Sequence, residues 1–108
     1  MGKKGARLTA DASGSAEEFS SRVMPLGDIS SKKMFGGYGI FEGGKMFGLV
    51  DSSGVVFLKA TETNRKRFEE AGAEGHGRMP YYQIPADVMD DDDRLFDWVR
   101  GAIEASKE

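Results

Sequence analysis

Met34-Phe35-Gly36-Gly37-Tyr38 is the stretch on which the reading of this chain turns. Two adjacent glycines stand inside an aromatic, strand-like run. Glycine in a strand interior costs backbone entropy and packs nothing. A bulge, a sharp bend or a group packed directly on the backbone would justify it. The stretch heads three apolar runs, about Ser31–Phe41, Lys45–Val50 and Val55–Ala60, rich in the Phe, Val, Ile and Tyr that strands prefer. Glu42-Gly43-Gly44 and Asp51-Ser52-Ser53-Gly54 separate them, and connections this short force antiparallel neighbours. The pattern predicts a meander. In the third run Val55, Phe57 and Lys59 share one face and Val56 and Leu58 the other. With both faces apolar, helices are expected on one side of the sheet and a partner or loop on the other.

Working outward, residues 1–14 are polar, small and aperiodic, and read as a flexible N-terminal tail. Residues 15–108 read as a single domain. Ser15-x-x-Glu18 is a capping box, followed by Phe19 and Val23 at helical spacing and by Pro25, which ends the helix near Met24. Thr61 caps a middle helix running to about Ala71, and Gly72 fits the left-handed position after it. Residues 73–78 read as a Gly-rich loop. Tyr81–Ile84 is a short strand, and the flanking Pro80 and Pro85 predict an edge position. The last helix starts within Asp90–Asp93 and carries Leu95, Trp98, Val99, Ala102 and Ile103 on one stripe. The fold class is α+β: an antiparallel meander of about four to five strands packed by N-terminal, middle and C-terminal helices.

Composition narrows the function classes. At 108 residues, 39% hydrophobic and 31% charged, the chain has the make-up of one globular domain. It has no cysteine, which removes disulfides and thiol catalysis. No apolar run approaches the ~20 residues needed to span a bilayer, and Lys3 and Lys4 precede no apolar leader. A cytoplasmic bacterial protein is expected. The net charge of −3 argues against autonomous nucleic-acid binding, which rests on neutralising phosphates.

Several signatures occur in order: Lys33-Met34-Phe35-Gly36-Gly37-Tyr38-Gly39-Ile40, Met46-Phe47-Gly48-Leu49-Val50, Phe57-Leu58-Lys59, Tyr81-Tyr82-Gln83-Ile84-Pro85, and a terminal helix with Trp98. Together, over about Phe19 to Ser106, they resemble the N-terminal domain of the TfoX/Sxy bacterial competence regulators. The resemblance implies an α+β fold with a central antiparallel sheet, and a regulatory role. Full-length regulators of this type carry a helical C-terminal domain and promote expression of DNA-uptake genes together with a cyclic-AMP-responsive activator. This sequence ends after the final helix, so no second domain is expected. The family supplies no catalytic residues.

The residues themselves offer few sites. His76 is the single histidine, in Gly75-His76-Gly77, with no cysteine or second histidine to complete a metal site or a triad. Asp90–Asp93 lacks EF-hand spacing and reads as a helix cap. Lys59, Tyr82 and the backbone of Gly36 and Gly37, with Lys33 and Tyr81 nearby, form the candidate pocket or interaction site. Tyr81 and Tyr82 alternate faces, so one ring belongs to the core. Lys32, Lys33, Arg65, Lys66 and Arg67 are the candidate phosphate contacts. Met34, Met46 and Met79 fall near strands and read as core fillers or as an adaptable interaction surface. The leading expectation is a non-enzymatic protein-interaction domain, with no cofactor, that docks on protein partners such as the transcription machinery and forms a homodimer through its open sheet edge. The alternatives are a nucleic-acid-binding accessory protein and a small ligand-binding protein.

Overall fold

Ala12, Ala16, Phe19 and Val23 fall four, three and four residues apart, which puts all of them on one stripe of a helix. All four are buried in α1 (Ala12–Val23). A computed structural model describes residues 12–34 and 36–108. Since α1 already includes Ala12, Ser15 is not its cap, and three residues assigned to the tail are helical; the rest of the tail lies outside the described residues. The Ser15 hydroxyl instead donates to the Gly54 carbonyl at 2.5 Å. A 3₁₀ turn at Met24–Leu26, with Pro25 at its second position, ends α1.

The expected first strand is two strands. β1 (Ile29–Met34) and β2 (Gly37–Glu42) pair antiparallel, with Met34 opposite Gly37, so the twin glycines mark a hairpin turn rather than a bend within one strand. Gly36 adopts φ +80°, a left-handed backbone that glycine tolerates freely. Gly37 answers to close packing: a Cβ there would collide with the Val50 carbonyl oxygen. The expected run covers Ser31–Met34 without separating them from β2, because Ile-Ser-Ser-Lys-Lys-Met is largely polar and exposed, as an edge strand can be.

β3 (Lys45–Val50) and β4 (Val56–Lys59) complete the meander. Opposite β2, Ile40 pairs with Gly48 and Phe41 with Met46, leaving Phe47 as the extra residue of a β-bulge. The bulge adds the Phe47 ring to the helix side while the alternation on either side of it is kept.

After β4 the chain makes a turn at 61–64 and enters α2 (Arg65–Glu70), later than the Thr61 start expected. Asn64 builds this turn. Its Oδ1 accepts from the Thr61 N–H at 2.8 Å and its Nδ2 donates to the Lys59 carbonyl at 3.0 Å. Gly72 takes φ +71°, as expected after the helix. The supposed loop contains β5 (Gly75–His76), which pairs with β6 (Met79–Gln83). β6 also pairs with β4, giving a six-stranded antiparallel sheet ordered β1-β2-β3-β4-β6-β5. β6 is therefore interior, not an edge. Its Pro80 serves as an acceptor, taking the Ala60 N–H at 2.8 Å.

Pro85 precedes a short helix, α3 (Ala86–Met89), which the sequence reading missed. α4 (Asp92–Ser106) then buries Leu95, Trp98, Val99, Ala102 and Ile103, as its stripe predicts. α1, α3 and α4, with Phe68 of α2, close over one face of the sheet around Ile40, Phe47, Val50, Val56 and Leu58. Phe68 stacks on Tyr82 and meets the edge of Trp98.

Candidate functional site

Pairing register assigns every strand residue to a face. Lys59 lies opposite Tyr81, and Leu58 opposite Tyr82. Tyr82 therefore points toward the helices, with its ring centroid 5.4 Å from that of Phe68, while Lys59 and Tyr81 point the other way. Gly37 sits beside Val50, at the opposite end of the meander from Lys59. The candidate pocket of Lys59, Tyr82, Gly36 and Gly37 is thus not assembled: its members occupy different faces and ends. Lys33, on edge strand β1, pairs with Tyr38 on the helix side and lies apart from them.

The strands instead assemble a second apolar cluster on the face away from the described helices. Leu49, Phe57 and Tyr81 are buried there, flanked by Met46 and Val55, and the cluster contains no residue of a described helix. It extends toward β1. A Cβ on Gly39 would lie 2.9 Å from the sulfurs of both Met34 and Met46 and 3.1 Å from the Phe41 ring, so these side chains converge over that glycine. Tyr81 donates its hydroxyl to the Met46 carbonyl at 3.5 Å, and burial raises its pKa above the ordinary value. Met79 is 45% exposed at the far end. Three of the five described methionines thus occupy this face. The sequence carried the signal in the parity of Phe57 and Lys59, but not the inter-strand register that adds Met34 and Tyr81.

His76 belongs to the same face. Its ring stands edge-on to Phe57, with centroids 4.7 Å apart, and its Nδ1 has no hydrogen-bond partner.

The candidate phosphate contacts separate into two groups. Lys32 and Lys33 alternate faces on β1. On α2, Arg65 lies 3.7 Å from Glu69, Lys66 3.9 Å from Glu70, and Arg67 2.9 Å from Asp97. Arg67 also covers the Trp98 ring at 5.0 Å. These three cations already face carboxylates. Beside them a cleft of about 300 Å³, lined by Asn64, Arg67, Asp97, Arg100 and Gly101, opens between α2 and α4.

The acidic run caps α4 as expected: Asp91 Oδ1 accepts from the N–H groups of Asp93 at 3.0 Å and Arg94 at 3.2 Å. Asp92 pairs with Arg22 at 2.8 Å, linking α4 to α1. Among the described residues, no three or more His, Asp or Glu side chains gather in a way that could hold a metal ion. None of the described helices is long and apolar enough to cross a membrane.

Fold and surface define a class: a small α+β domain whose antiparallel sheet is helix-packed on one face and apolar on the other. The chain belongs to the TfoX N-terminal domain family, whose model matches residues 21–106. No curated protein matches it.

Proposed function

We propose that this domain is a non-enzymatic regulatory module that works by docking on other proteins. Family membership supports the regulatory setting, and the control of DNA-uptake genes that the resemblance implies is the finer form of this proposal. The observation that carries it is the second apolar cluster, on the sheet face that the described helices leave alone. Exposed and half-buried Met and aromatic side chains gathered on one face suit protein contact. The homodimer expected from an open edge is supported by β1 but opposed by Lys32 and Lys33 on that edge, a common device against strand-to-strand pairing.

A photo-crosslinking residue at Phe41, on the proposed docking face, compared with one at Arg100 on α4, tests the reading in host cells. Protein adducts are expected from Phe41 and not from Arg100. Adducts from neither position, or from Arg100 alone, would refute it.

A further inference from the structure

We infer that the sheet face left uncovered by the described helices receives an acidic amphipathic helix of a partner protein, an inference that rests on the docking function proposed above. The face is apolar at Met34, Phe41, Met46, Leu49, Phe57 and Tyr81. Its charged strand positions are Lys32, opposite Gly39, and Lys59, opposite Tyr81. Among the described strand residues assigned to this face, none is an Asp or Glu. Lys59 Nζ lies 6.0 Å from the Tyr81 ring centroid. It helps to lower the pKa of Glu108, but that carboxylate accepts from the Thr63 hydroxyl at 2.6 Å and forms no ion pair with Lys59. Lys32 has no ion-pair partner among the described residues. On the helical side, by contrast, Arg22, Arg67, Arg94 and Lys107 each contact a carboxylate at 2.8 or 2.9 Å.

The whole chain carries −3, so the charged strand positions of this face are opposite in sign to the molecule. Such a local reversal selects partners by charge. It disfavours a second copy: two of these faces would bring lysines together with no strand carboxylate between them. It favours a partner whose apolar stripe is bordered by Asp and Glu. The methionines at 34, 46 and 79 are flexible and polarizable, and adapt to Leu, Ile or Phe knobs. A helix fits because the opposite face already packs helices, and a sheet covered on both sides is a standard layered arrangement. From β1 to β6 there are four inter-strand steps of about 4.8 Å, roughly 19 Å, which about 13 helical residues would span.

The test is fluorescence anisotropy of the whole chain with two designed helical peptides of the same apolar stripe, one flanked by Glu and the other by Lys. The Glu-flanked peptide is expected to bind at least about tenfold tighter, with the difference shrinking at high salt. The double variant Lys32→Glu/Lys59→Glu should reverse the preference. Phe41→Ala should weaken the Glu-flanked peptide with circular dichroism unchanged. Equal affinity for both peptides, no binding of either, or an unaltered preference in the double variant would overturn the inference. So would a dimer by sedimentation with this face protected from labelling, which would make the second copy its occupant. If Phe41 crosslinks in cells while the peptides show no sign preference, the helix inference falls and the docking function stands; no crosslink at Phe41 removes both.

Discussion

The two faces of the sheet are built from the same strands, yet they differ in what surrounds each side chain. On the helix side Phe47, Leu58 and Phe68 are fully enclosed, and Tyr82 stacks on Phe68. On the other side Leu49, Phe57 and Tyr81 are buried in a cluster that includes no residue of a described helix, while Met34, Phe41 and Met46 stay partly exposed. Helix-side residues hold the domain together, and the outer residues of the opposite face are free to be judged by contact. Stability and binding should therefore separate by face.

Phe68→Ala should be the strongest blow. It empties a fully enclosed ring site that also holds Tyr82 and Trp98, and large-to-small changes of this kind cost about 3–5 kcal/mol. Chemical denaturation should show the loss, and a cost below about 1 kcal/mol would break the comparison. Asn64→Ala comes next. It strips partners from the Thr61 N–H and the Lys59 carbonyl at a buried turn, for about 1–3 kcal/mol by the same measurement.

Glu42→Gln should act through pH. The Lys107 ammonium, 2.9 Å from Glu42 Oε1, and the Asp28 N–H hold this carboxyl below its ordinary 4.5. A depressed carboxylate contributes stability above its ordinary pKa and loses it as pH falls through the depressed value. The wild type should therefore lose melting temperature more steeply than the variant below about pH 4.5, and parallel melting curves would refute the assignment. The smallest effect on stability should be Lys32→Glu on the open face, within about 0.5 kcal/mol, while binding to any acidic partner falls. A large loss of stability there would show that Lys32 serves the fold.

Legibility in the sequence followed the same division. The helix face announced itself through spacing: Leu95, Trp98, Val99, Ala102 and Ile103 defined α4, and Val56 and Leu58 the inner side of β4. The start of α1 was legible too, in the Ala12 and Ala16 continuation of the Phe19 stripe, but the Ser-x-x-Glu motif competed with it and misplaced the helix start. The candidate pocket failed for a different reason. Parity within one strand says which neighbours share a face, but the register between β4 and β6, which places Tyr82 opposite Leu58 rather than beside Lys59, is set by packing across the sheet. Likewise β1 is polar along most of its length, and only its partner β2 makes it a strand.

The bulge at Phe47 has a consequence for sequence change over time. Removing that residue outright would leave Ile40 with Gly48 and Phe41 with Met46, so every ladder pairing could persist. An aligned relative lacking it would show only a single-position gap, yet the interior would be missing an entire benzyl group, as grave an injury as truncating the side chain.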